Sequence, residues 1–321
     1  MRVRPARLAP HVVRVDGREV SIDEKATTYT VRLDDRPPFT VDVSDSVERY
    51  VLASGLDASP HTIAVTRDAE AFAGVHEFLG FEVDGGRLLA PRSRSRRIEI
   101  VGDSITCGYG VLGADARCPF TYATERASVA YGALAAQTLA ADVTTVCWSG
   151  RGVVRNYDGD TTALAPELFE QAIPAIDGAP AMPFDFARAV EPDALVANLG
   201  TNDFLGGAGQ PLDIAAFERA YVRFLRRVRA VYPRALLVVA LSPMLGPDPT
   251  PSTASKPTRD VARASLERVV AMRCAEGDER ISLLELEHQG ERVGCDEHPN
   301  AEMHRVLARQ LVSFLRGALR W

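Results

Sequence analysis

The chain lacks any run of apolar residues near the about eighteen that a membrane-spanning helix needs. Its first twenty residues carry basic side chains but no continuous apolar stretch of the kind an export signal uses. No membrane partner is therefore expected, and the cytoplasm is the expected location. A basic surplus is missing as well: the net charge is -6, whereas a nucleic-acid-binding surface normally gathers excess lysine and arginine. The one basic cluster, Arg92, Arg94, Arg96 and Arg97, lies beside Pro91 and two serines and reads as a solvated linker. Cysteine is scarce, with five residues, no C-x-x-C pair and a chain too long to depend on a disulfide framework, so reduced thiols are expected. The G-x-S-x-G elbow of α/β-hydrolases is absent, as are internal repeats and low-complexity tracts.

Cofactor signatures are missing too. Gly108-Tyr109-Gly110-Val111-Leu112-Gly113 matches G-x-G-x-x-G, but it begins several residues past the preceding strand and runs into Arg117-Cys118-Pro119 rather than a helix. It reads as a loop walling a pocket. Cys295 and His298 have a conceivable metal spacing with no second ligand pair nearby, so no metal is expected.

What is present divides near residue 92. At 321 residues the chain exceeds the usual single-domain size, and the expected boundaries are 1–91 for a small accessory domain and 97–321 for a larger one. Short alternating runs at 12–15, 29–33, 39–43, 50–53, 62–66 and 76–83 read as strands separated by turn signals, the pattern of a small β-sandwich. After residue 96 apolar strands at 98–101, 143–147, 194–199, 235–241 and 281–286 alternate with helical segments at 130–140, 215–231, 258–275 and 302–319. That alternation predicts an α/β fold with a parallel sheet covered on both faces.

In an open sheet of order 2-1-3-4-5, ligands bind beyond the carboxyl ends of the strands, where strand order reverses. Ser104 follows the first of these strands, Gly150 the second, Asn202 the third, and His298 the fifth. A serine hydroxyl is a weak nucleophile that needs an imidazole to take its proton and fixed donors to hold the oxyanion. The residues supply each part: Ser104 as nucleophile, His298 as base, and the N–H groups of Ser104 and Gly150 with the Asn202 side chain as oxyanion donors. Pro299 should hold His298 in an extended conformation. An imidazole at its ordinary value near about 6.5 would make activity fall as the pH drops through roughly 6 to 7. His61, His76, His288 and His304 read as surface or packing residues.

The motif blocks Gly102-Asp103-Ser104-Ile105, Ser149-Gly150, Gly200-Thr201-Asn202-Asp203 and Asp296-Glu297-His298-Pro299 resemble, in order, those of the GDSL or SGNH hydrolase superfamily. The stretches Thr106-Cys107-Gly108-Tyr109-Gly110, Arg151-Gly152 and Arg155-Asn156-Tyr157 bring the likeness closer to the second family of carbohydrate esterases. The resemblance implies a flavodoxin-like three-layer α/β/α SGNH domain preceded by a jelly-roll-like β-sandwich, and a metal-independent O-acetyl esterase acting on a carbohydrate or glycosylated small molecule through an acyl-enzyme on Ser104. Asp296 stands two residues before His298 rather than three, so either its carboxylate or a backbone carbonyl is left to orient the imidazole. Trp148, Tyr109, Tyr157, Phe204 and Glu297 lie beside the motif residues and are candidates to line the substrate site. Two other readings stay open: a lipid or thioester acyl hydrolase with the same site, and a carbohydrate-binding protein with a dead one.

Overall fold

The structure, a computed structural model, describes residues 7–8, 17–20, 27–43, 50–57, 59–78, 80–83, 88–89, 94–176 and 180–321. The upstream strands are β1 (Arg7–Leu8), β2 (Gly17–Val20), β3 (Thr27–Leu33), β4 (Phe39–Val43), β5 (Ile63–Arg67) and β6 (Val75–Phe78). β3 runs antiparallel between β4 and β5, and β2 pairs antiparallel with β6. Two sequence expectations are corrected in this part. Residues 50–53 are not a strand, and the strand expected over 76–83 stops at Phe78. In both places the apolar alternation is not part of a ladder among the described residues, and alternation alone does not make one. The strand expected at 12–15 lies outside the described residues.

Downstream, β7 (Arg96–Gly102) leads into the short helix α1 (Ser104–Cys107), then α2 (Tyr131–Thr138), β8 (Ala141–Cys147), α3 (Ala165–Phe169) and a small ladder of β9 (Gln171–Ile173) with β10 (Met182–Pro183). Next come β11 (Ala194–Asn198), α4 (Thr201–Leu205), α5 (Ile214–Val231), β12 (Leu236–Leu241), α6 (Thr258–Ala275), β13 (Ile281–Glu285) and α7 (Ala301–Leu319). The parallel strands stand in the order β8-β7-β11-β12-β13, which is the expected 2-1-3-4-5 arrangement, and β1 adds antiparallel to the β8 edge.

Every residue of β11 and β12 is buried, because helices cover both faces and no side of these strands meets water. Alternation then decides which face each residue serves. Leu195, Ala197, Leu237 and Val239 join Phe217, Tyr221, Leu225 and Val228 of α5 and Leu266 and Val269 of α6 in one core. Val196, Val238 and Ala240 join Tyr131 and Ala135 of α2 and Leu307, Leu311 and Leu315 of α7 in the other. Helix α5 starts where Asp213 accepts the Ala216 N–H at 2.9 Å, and α7 where Asn300 accepts the Met303 N–H at 3.0 Å, caps that satisfy donors the first turn leaves open. Among the described residues no helix is long and apolar enough to cross a membrane.

Candidate active site

The nucleophile candidate sits where β7 turns into α1. Gly102 is the last strand residue, and a Cβ there would lie 2.0 Å from the Thr106 Oγ1, so only glycine lets the turn close. Asp103 caps the helix by accepting the Ile105 N–H at 3.1 Å, and its full burial pushes its carboxyl up to about 7. Ser104 follows as the first helical residue. Its Oγ lies 2.8 Å from Nε2 of His298 across 194 positions of sequence.

His298 arrives on a loop with an unusual backbone. Asp296 and Glu297 both take positive φ, 49° and 62°, a conformation that costs non-glycine residues about 1 to 3 kcal/mol each and persists only when the surroundings over-determine it. Here they do. Cys295 is bonded to Cys118. The Cys295 N–H donates to the Gly110 carbonyl at 3.2 Å and the Asp296 N–H to the Cys118 carbonyl at 3.0 Å. Gln289 Nε2 donates to the Glu297 carbonyl at 2.7 Å. His298 itself is extended, φ -76° and ψ 158°, as a residue before proline must be.

The loop geometry decides what orients the imidazole, and it corrects the carboxylate alternative. Nδ1 of His298 meets the backbone carbonyl of Asp296 at 2.9 Å. The Asp296 carboxylate points elsewhere, accepting the Tyr109 hydroxyl at 2.7 Å and the Phe120 N–H at 2.9 Å. With both φ angles positive, the chain turns its carbonyl toward His298 and its side chain toward the neighbouring loop. Tyr109 in turn lays its ring against the imidazole, centroids 4.2 Å apart. Burial then holds the His298 imidazole below its ordinary range, a correction to the ordinary value expected from sequence.

The donor set forms around the next two strand ends. Gly150 has φ 78°, and a Cβ there would meet nothing within 4 Å, so the left-handed backbone rather than crowding selects glycine. Neither the Ser104 nor the Gly150 N–H donates to a described residue. Asn202 spends one amide hydrogen on the Arg151 carbonyl at 2.9 Å, which orients the group and leaves its second donor unspent. Asp203, next in the chain and fully buried, accepts the N–H groups of Val153, Val154 and Arg155 at 2.9, 2.8 and 3.2 Å, while the Arg155 guanidinium returns two hydrogen bonds to the Asp203 carbonyl. One carboxylate thus ties the loop carrying Gly150 to the helix carrying Asn202. Burial raises Asp203 to about 6. In the sequence Asp203 is visible as part of its motif but this role is not; the run of turn-forming residues at 149–153 is the signal that points toward it.

The remaining candidates separate. Tyr109 reaches the site, and Trp148 flanks it with the Arg151 guanidinium 5.0 Å over its ring. Glu297 is exposed beside His298 and Tyr157 is largely exposed. Phe204 is corrected: it is buried in the core on α4 and packs edge-on against Phe217 at 5.3 Å, because a helix starting at Thr201 turns its fourth residue back under the sheet. Gly110 and Gly113, from the G-x-G-x-x-G match, lie against Cys295 so closely that a Cβ would come within 2.7 and 2.3 Å of its backbone. The expectation of reduced thiols is also corrected. Besides the Cys118–Cys295 bond, Cys107 is bonded to Cys147, and only Cys274 is free. Oxygen atoms of Glu70 and Glu125 gather with Cys107 within 4.8 Å, but that sulfur is spent in its disulfide.

Comparison with known proteins agrees with this geometry. Residues 100–306 match the GDSL-like Lipase/Acylhydrolase family, and residues 11–91 match the Carbohydrate esterase 2 N-terminal family. The chain is 32% identical over 288 residues to the cellulase/esterase CelE of Acetivibrio thermocellus, covering 89% of this chain and 33% of that protein, so it spans about a third of that relative's length. It is 27% identical over 296 residues to an acetylxylan esterase / glucomannan deacetylase of Cellvibrio japonicus, covering 91% of this chain and 76% of the relative. The crystal structure of a carbohydrate esterase family 2 enzyme with its carbohydrate binding domain, from Corynascus thermopiles (Myceliophthora fergusii), superimposes with a TM-score of 0.82 at 32% identity, over 98% of this chain and 93% of that one. On the match that spans most of the chain and on this likeness, the protein belongs to the GDSL-like lipase/acylhydrolase family and, within it, to the family 2 carbohydrate esterases.

Proposed function

We propose that the protein removes O-acetyl groups from a carbohydrate through an acyl-enzyme on Ser104. The observation that carries this reading is the 2.8 Å approach of His298 Nε2 to Ser104 Oγ, beside two backbone N–H groups with no partner among the described residues. In the first step the Ser104 oxygen attacks the acetyl carbon as its proton passes to Nε2, and the carbonyl oxygen becomes an oxyanion. The Ser104 and Gly150 N–H groups and the free Asn202 amide hydrogen face that charge. The tetrahedral species then collapses, expelling the sugar oxygen, which takes the proton from His298. Water, deprotonated by the same imidazole, hydrolyses the acetyl-serine and releases acetate. His298 gains its charge transiently with Nδ1 already held by the Asp296 carbonyl, so a dyad performs the proton transfer that triads share with a carboxylate.

The acetyl group and the sugar rest on the relatives, one of which is named an acetylxylan esterase and glucomannan deacetylase. The test is a panel of acetylated mono- and oligosaccharides with free acetate as the readout, alongside acetyl and octanoyl p-nitrophenyl esters. Acetate release from sugars, with the acetyl ester preferred, is the expected outcome; preference for octanoyl would indicate a lipid acyl hydrolase. Ser104→Ala should abolish turnover, a loss on the order of 10⁶ in kcat as for other serine hydrolases stripped of their nucleophile. Retention of a tenth of the activity would remove Ser104 from the mechanism.

A further inference from the structure

The nucleophile, base and donors all come from the parallel sheet, yet a second grip on the loop carrying Gly150 comes from upstream of it. Glu70 lies just beyond β5. Its carboxylate accepts the Ser149 N–H at 2.5 Å and also the Ser149 hydroxyl. Ser149 immediately precedes Gly150. Holding the N–H and the hydroxyl of Ser149 fixes its φ and χ1, so that its ψ alone is left to set where the Gly150 N–H points.

The segment that carries Glu70 is itself braced. The Arg67 guanidinium donates to the carbonyls of Glu70 and Gly74 at 2.9 and 2.8 Å. Asp68 accepts the Ser128 N–H at 2.8 Å and the Thr30 hydroxyl at 2.5 Å, and its carbonyl accepts the Ala127 N–H at 3.2 Å. The segment that carries Glu70 is therefore pinned to the loop before α2. A second carboxyl, Glu125, stands in that loop with an oxygen within 4.8 Å of one of Glu70's, and both residues are only 1% exposed. Neither Glu125 oxygen has a hydrogen-bond donor among the described residues. Two carboxylates this close and this dry do not both ionise. Burial raises both carboxyls; the two donors on Ser149 and the charge of Arg151 offset it at Glu70, which keeps the negative charge, while burial and the neighbouring Glu70 charge outweigh the pull of Arg67 at Glu125, which takes the proton.

Building on the reading of the site above, we propose that Glu70 is a positioning residue of the oxyanion hole, holding Ser149 so that the Gly150 N–H faces the reacting acyl oxygen. The upstream part of the chain is then a component of the catalytic apparatus.

The experiment measures kcat and KM on an acetyl ester for the wild type and for Glu70→Ala, Glu70→Gln, Ser149→Ala and Ser104→Ala, with folding followed by circular dichroism. Removing an oxyanion donor outright costs about 10² to 10³ in kcat, so misaiming one should cost roughly ten- to a hundredfold in Glu70→Ala, with KM held within about twofold. Glu70→Gln should recover most of that loss, since its amide oxygen accepts the Ser149 N–H and its amide nitrogen donates to the hydroxyl. A double-mutant cycle with Asn202→Ala separates positioning from general support: the two losses should combine to less than their product if both act on the oxyanion. If Glu70→Ala does not fold, Ser149→Ala, which keeps every backbone group, should still lower kcat several-fold. The inference is overturned if folded Glu70→Ala or Ser149→Ala keeps kcat within twofold, if Gln fails as badly as Ala, or if the cycle is simply multiplicative. A wild type inactive on acetyl esters counts against the esterase reading itself; an active wild type silenced by Ser104→Ala but indifferent to Glu70 counts against Glu70 alone.

Discussion

His298 owes its role to its immediate neighbours in the chain. Its candidacy as a base is legible in the sequence because proline follows it and a strand precedes it, and the two together place it at the rim. What orients it is not legible there, since a sequence shows that Asp296 is near but not which of its oxygens faces the ring. The positive φ of two successive residues settles that, and such strain leaves no trace in composition. Asp296→Asn should therefore lose less than about tenfold in kcat, against as much as about 10⁴ for a triad carboxylate; steady-state kinetics on an acetyl ester decides between them. The lowered imidazole carries a second expectation. His298 must be neutral to accept the serine proton, and burial favours the neutral form. It stays competent to a lower pH than a solvated histidine, so the acid limb of kcat/KM should fall below about 6.5. A limb at or above that value would mean that the ring is solvated or that another group titrates.

At the scale of elements, the long periodic segments read well. The helix expected at 258–275 is found as Thr258–Ala275, and the one expected at 215–231 starts a residue earlier, because an apolar stripe at helical spacing is a local pattern that packing had no reason to override. Loops were another matter. The disulfides join residues 40 and 177 positions apart, and no local pattern marks such partners. Cys118–Cys295 fastens the loop that carries His298 to the loop that carries Phe120, and it closes a long stretch of chain. Breaking it with Cys118→Ser should cost about 2 to 4 kcal/mol of stability, measured by denaturant unfolding. Thiol titration of the unfolded wild type should find one reactive group, Cys274, before reduction and all five cysteines after; five before reduction would show both bonds to be unformed.

Across the whole molecule, the order of the parallel strands was readable since crossover connections constrain it so tightly. The upstream region was less so, where short strands depend on neighbours far away in sequence. The feature with the widest reach is the Asp203 carboxylate, shared between two chain segments about fifty residues apart. Together with the hydrogen bond from the Asn202 amide to the Arg151 carbonyl, this joint couples the loop carrying Gly150 to the helix carrying Asn202, the two proposed donors. A displacement of either segment is therefore passed to the other through that carboxylate. Trp148 and Glu297 make no hydrogen bond to that carboxylate, so a substitution at either leaves the joint between the two proposed donors in place.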